Sequence, residues 1–114
     1  MLTKQEIFNK AYEGLRSQHF HKSEGAVDTF CMYRGPDGMK CAIGHLISDE
    51  NYSVDLENKR VRNKMVRKAA EIPDHIDERF LQELQDCHDC SWDSLTMEGN
   101  LIRFAMRYNL RIPE

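Results

Sequence analysis

The sequence predicts an α+β domain in which a small antiparallel β-hairpin packs against about four α-helices, with helix dominant. Three observations lead there. Gly35-Pro36-Asp37-Gly38 is the strongest turn signal in the chain and stands between two β-prone runs, 30–34 and 39–43. Apolar residues recur at helical spacing in four other stretches. At 114 residues the chain is expected to be one domain, 1–114, large enough to bury a core without staples.

The first helix is expected over 4–19. Thr3 and Glu6 form a capping box, and Ile7, Phe8, Ala11, Tyr12 and Leu15 come after it at helical spacing. His19 falls on the apolar side of its last turn and His21 lies beyond, so two histidines one residue apart on a helix end point different ways rather than at one metal ion. Residues 22–28 have loop composition.

In the hairpin, a three-residue loop with a bulge at Gly38 sets Tyr33 against Cys41 and Cys31 against Ile43, all on one face. Cys31 and Cys41 are then diagonal neighbours, roughly 7–8 Å apart, too far for an unstrained disulfide and expected as two buried thiols. Arg34 and Lys40 share the opposite face. After Gly44, His45-Leu46-Ile47 reads as a turn of helix, with Ser48-Asp49-Glu50 able to cap a further helix.

The second long helix is expected from Asp55 or Asn58 to about Ala70, with Val61, Met65 and Ala69 inward. Arg60, Lys64, Arg67 and Lys68 make a basic stripe on it, flanked by Lys59 and Arg62. Such a stripe can neutralise phosphates. The acidic stretch 74–98 can answer it instead, and a net charge of -3 does not suit a protein that coats nucleic acid. Ile72-Pro73-Asp74 breaks the chain. The next helix carries Ile76, Phe80, Leu81, Leu84 and Cys87 inward, with His88 at the edge of that stripe and Asp89 round the side. Cys87 and Cys90 have a zinc-like spacing but no second close pair to complete the site.

Ser91 or Asp93 caps the last helix, 94–109. Met97, Leu101, Phe104, Ala105 and Tyr108 face the core, while Leu95, Ile102 and Met106 form a second stripe that marks an interface, expected to be that of a homodimer. Residues 110–113 form an extended tail. No apolar run approaches the length of a membrane span and no secretory leader is expected, so the four cysteines are read as thiols or metal ligands in a reducing compartment rather than as a disulfide framework.

Residues 31–52 carry the pattern C-x-Y-R-G-P-x-G-x-K-C-A-x-G-x-L-I-x-D-E-x-Y. Together with Leu84-Gln85-x-x-His88-Asp89 it resembles a family of small uncharacterised proteins of tailed phages and prophages. Ser48 departs from that pattern, in which a proline precedes Asp49. The resemblance implies a phage-borne protein in the bacterial host cytoplasm and supplies no mechanism.

Three functional classes are compatible with these residues. The first is a non-enzymatic accessory protein that binds a host protein or a small anionic, nucleotide-like ligand, in the service of counter-defence. Its site is expected around Arg34, Lys40, His45 and Tyr52, with His88 and Asp89 added because they match the resemblance. The second is a thiol enzyme with Cys41 as nucleophile, His45 or His88 as base, and Asp89 or Asp49 as orienter. The third is a nucleic-acid-binding regulator using the basic helix. The first is the reading adopted, with no metal or cofactor.

Overall fold

The structure, a computed structural model, describes residues 2–24 and 31–114. Residue 30 of the expected hairpin and residues 25–28 of the expected loop lie outside that range. Four α-helices are present, α1 (Lys4–Ser17), α2 (Lys64–Ala69), α3 (Glu78–Asp89) and α4 (Ser94–Arg107), with tight 3-10 turns at Pro36–Gly38, Ile43–Leu46 and Val54–Leu56. The α+β expectation is overturned: the fold is helical, and among the described residues no β-strand occurs.

The three long helices form where local chemistry asks for them. The Thr3 hydroxyl accepts from the Glu6 amide while the Glu6 carboxylate accepts from the Thr3 amide, closing the capping box of α1. Asp77 caps α3 through the Phe80 amide, and Asp93 caps α4 through the Thr96 amide. Their apolar stripes meet in an aromatic cluster. Phe104 stacks on Phe8 at 5.7 Å and packs on Phe80 at 5.1 Å, and Tyr108 closes the group at 4.9 Å from Phe80. The C-terminal tail returns to α1, where the Gln5 amide group both donates to the Arg111 carbonyl and accepts from the Arg111 amide, at 2.9 Å each.

The hairpin fails for a reason visible in its hydrogen bonds. One antiparallel bridge pairs Arg34 with Lys40 across the turn, and the Gly35 amide donates to the Met39 carbonyl. The ladder stops there because side chains take the Tyr33 and Ile43 donors that further rungs would use, while the Arg34 and Lys40 amides already face outward from their pair. The Tyr33 and Arg34 amides donate to Glu57, the Lys40 amide to Gln18 and the Ile43 amide to Gln85. The second long helix is likewise reduced to the six residues of α2. Asn58 adopts a left-handed backbone with φ 68°, and Asn63 caps the helix from inside the expected span. The basic stripe is thereby broken. Arg60 stands in the loop before α2, and Arg67 turns in to donate to the carbonyls of Pro73 and Ile76 at 2.7 Å each.

Two glycines mark close approaches. A Cβ on Gly14 would lie 2.3 Å from the His45 ring, so α1 seats the Ile43–Leu46 turn directly on its backbone. A Cβ on Gly44 would lie 2.1 Å from the Tyr33 carbonyl oxygen, a backbone atom that cannot swing away. Gly44→Ala is therefore expected to destabilise the protein by about 3 kcal/mol, as overpacking a fixed site does. Gly38→Ala, which meets open space at φ +75°, should cost about 1 kcal/mol from backbone strain alone. Denaturant titration of the two variants checks this, and equal costs would contradict the close contact at Gly44.

Candidate functional site

The residues of the resemblance do not gather at one point. They divide into a cation-binding corner, a histidine clamp on α1 and a buried relay on α3.

In the first, the Arg34 guanidinium lies 2.8 Å from Asp49, donates to the Ile47 carbonyl at 3.0 Å and sits 4.6 Å from the Tyr52 ring centre. The Tyr52 hydroxyl donates to Glu57 at 2.7 Å. Burial, with the Glu57 carboxylate beside it, pushes the Tyr52 phenol up to about 12. The charge of Arg34 is thus answered inside the chain. In the second, Gln18 holds the Lys40 backbone from both sides, accepting its amide proton at 3.1 Å and donating to its carbonyl at 2.7 Å. The same Gln18 oxygen lies 3.0 Å from His45 Nε2, so the imidazole donates from Nε2. Burial, reinforced by Lys40 and His88, pushes His45 down to about 4.

In the third, His88 is fully buried. The Ser23 amide donates to its Nε2 at 2.9 Å, which places the ring proton on Nδ1, and Nδ1 donates to Asp89 Oδ1 at 2.9 Å. Gln85 donates to the same oxygen at 3.0 Å while accepting the Ile43 amide. The Cys31 thiol lies within 4.8 Å of both the Asp89 carboxylate and a His88 ring nitrogen. Burial first and then the Asp89 charge push Cys31 up to about 12, and burial pushes the enclosed Cys41 up to about 12 as well. Both are thiols at neutral pH.

Cys31, His88 and Asp89 each offer an atom within 4.8 Å of the others, a spacing that can hold a metal ion. The protons argue against that use. One ring nitrogen of His88 accepts an amide proton and the other carries a proton to Asp89, so neither presents a lone pair to a cation or serves as base to the thiol. On α3, Cys87 is buried and bonds the Glu83 and Asn100 carbonyls, while Cys90 at the helix end is exposed. The pair does not converge on one point. His19 and His21 are both exposed, with ring centres 6.5 Å apart.

The relay opens onto a cavity of about 560 Å³. Cys31, Tyr33 and Cys41 form one wall, and Gln82, Gln85 and Asp89 of α3 form the second. Asn58, Lys59, Arg60 and Val61 form the third. A carboxylate, amides and two basic residues therefore line a space of ligand size, with the Lys59 ammonium itself donating to the Asp55 carbonyl. Sequence reading missed Gln18, Glu57, Gln85 as a backbone acceptor, and the cavity role of Lys59 and Arg60. Gln85 stood inside the Leu84–Asp89 stretch, whereas nothing local distinguishes Glu57 from a solvated loop acid. Comparison with protein-family models, curated proteins and solved structures finds no match. Among the described residues no helix is long and apolar enough to cross a membrane.

The His45 clamp makes stability depend on pH. The unfolded chain takes up a proton near pH 6.5, whereas the folded imidazole resists it down to about 4. Between those values the unfolded state binds more protons, so stability is full above pH 6.5 and is lost as pH falls towards 4. The melting temperature should drop across that window in the wild type and less steeply in His45→Gln, compared by thermal denaturation at closely spaced pH. Parallel slopes would rule out His45 as the source.

Proposed function

We propose that this chain is a non-enzymatic binding protein that takes a small nucleotide-like ligand into the cavity between Cys31, Asp89 and Arg60. The setting is the one the resemblance implies, a phage accessory protein acting in the bacterial host cytoplasm. The observation that carries this reading is the polarity of the cavity. Lys59 and Arg60 line the same cavity as Asp89 and Gln85; the Lys59 ammonium donates to the Asp55 carbonyl, which leaves Arg60 as the cation to meet an anionic group of a ligand whose hydrogen-bond donors go to Asp89 and Gln85.

Two further observations support it. Most of the 31–52 pattern has work within the fold: Arg34, Asp49 and Tyr52 answer one another, and Gly44 admits the Tyr33 carbonyl. Cys31, Tyr33 and Cys41 also line the cavity, where they meet Gln85 and Asp89 from the other half of the resemblance. The thiols there are protonated and the histidine is committed to two hydrogen bonds, which favours binding over nucleophilic chemistry.

Calorimetry against a panel of mono-, cyclic and dinucleotides tests the proposal. One class should bind and raise the melting temperature. Arg60→Ala should weaken it about tenfold, the loss of one charge-assisted bond, while Arg34→Ala lowers stability and leaves affinity unchanged. A panel without a binder, or a binder indifferent to Arg60→Ala and lost in Arg34→Ala, would overturn the assignment.

The thiol chemistry has its own check. Iodoacetamide at pH 7 should modify the exposed Cys90 first and Cys31 and Cys41 more slowly than free cysteine, as read by peptide mass mapping. Preferential labelling of Cys31 or Cys41 would favour the thiol-enzyme reading instead.

A further inference from the structure

Four of the seven large apolar side chains exposed among the described residues lie along a single line, on and just before α4. Trp92 is 91% exposed, Leu95 80%, Ile102 38% and Met106 75%. Within α4, Leu95, Gly99, Ile102 and Met106 are spaced four, three and four apart, the a and d positions of a heptad, and Trp92 stands just outside the helix, before its extended cap residue Asp93. The opposite side of the same helix, Met97, Leu101, Phe104 and Ala105, is buried in the core. The outer stripe is thus a second apolar face that the fold leaves uncovered.

The flanking charges identify what covers it. With Leu95 at d and Gly99 at a, Glu98 occupies the preceding g position and Arg103 the next e position. They stand five positions apart in the sequence, the offset at which g of one helix meets e of its neighbour in a parallel pair. Neither has an ion-pair partner among the described residues; Arg103 donates only to the Asn100 side chain at 2.6 Å. In an antiparallel pair like flanks meet, and Arg103 would face the e positions Thr96 and Arg103 of the second copy with no anion. Gly99 at the centre has no Cβ, and the Arg103 guanidinium lies over it, its nearest nitrogen 3.3 Å from where a Cβ would stand; that flexible side chain has to swing outward, towards Glu98 of the second copy, for two backbones to approach between the Leu95 and Ile102 layers.

We infer that α4 pairs in parallel with α4 of a second copy of this chain through the Trp92–Leu95–Gly99–Ile102–Met106 seam, with Glu98 of each copy against Arg103 of the other. The four exposed side chains supply on the order of 1,200 Å² for the pair, the lower bound of a specific interface. The dimer is accordingly a reversible one.

Sedimentation equilibrium on the full chain tests it. The wild type should be a concentration-dependent dimer, and Leu95→Glu a monomer with unchanged far-ultraviolet circular dichroism. Arg103→Glu and Glu98→Arg should each weaken the dimer about tenfold, because two symmetry-related pairs become like-charged. The double exchange Glu98→Arg, Arg103→Glu should restore it. A wild type that stays monomeric at the highest attainable concentration, or a dimer insensitive to Leu95→Glu, overturns the inference. Single reversals that leave the dimer unchanged, or a double exchange that fails to restore it, overturn the parallel arrangement.

Discussion

A buried amide that is not in a helix or a sheet must find an acceptor, and the irregular half of this protein depends on how that demand is met. Between α1 and α2 the regular structure among the described residues is short 3-10 turns and isolated bridges, and several of the donors there go to side chains from elsewhere. Glu57 takes the amides of Tyr33 and Arg34, Gln18 takes that of Lys40, Gln85 takes that of Ile43 and His88 takes that of Ser23. Each such group left unpaired would cost about 1–3 kcal/mol. The four acceptors are therefore coupled conditions on a single backbone path.

This explains which parts of the fold were legible in the sequence. Helices α1, α3 and α4 are specified by residues close in sequence: caps at Thr3, Asp77 and Asp93, and apolar stripes at a period of about 3.6. The α1 helix ends at 17 rather than 19, and α3 begins four residues after Asp74, at Glu78, because Asp77 makes the cap. The stretch 31–43 carries a genuine turn and β-prone flanks, and its two arms share a single bridge, Arg34 with Lys40, while Cys31 pairs with Glu24 instead. What prevents a hairpin is Gln85, 42 residues from Ile43, and Glu57, 24 residues from Tyr33. No local pattern announces those distances, so tertiary hydrogen bonding overrode propensity. The shortening of the 55–70 helix has a nearer cause, since Asn58 and Asn63 are residues that accept left-handed and capping conformations.

The candidate site was legible in its residue types and not in its assignments. Arg34 and Lys40 do lie side by side across the turn, as a pairing argument requires, but Asp49 and Tyr52 consume the charge of Arg34 before any ligand could. His88 and Asp89 were marked by the resemblance, and their pairing is real. The Ser23 amide, which decides the tautomer and with it the chemistry, is 65 residues away. Lys59 and Arg60 were assigned to a helical stripe that α2 does not form, and the loop that replaces it delivers them to the cavity rim instead.

The two surfaces left over once these internal demands are met lie on different sides of α3. Gln82, Gln85 and Asp89 face the cavity, while Cys87 faces α4, where its thiol meets the Asn100 carbonyl. The seam on α4 points away from α3 again, since Met97, Leu101 and Phe104 are turned inward and Leu95, Ile102 and Met106 outward. A second copy seated on α4 would therefore leave the cavity open, and a ligand in the cavity would touch no seam residue. Coupling between them, if a ligand altered the dimer, would have to pass through the rigid α3–α4 packing and the aromatic cluster at Phe80 and Phe104. The two events share no residue, so the Phe80–Phe104 contact between α3 and α4 is the path along which one could bias the other.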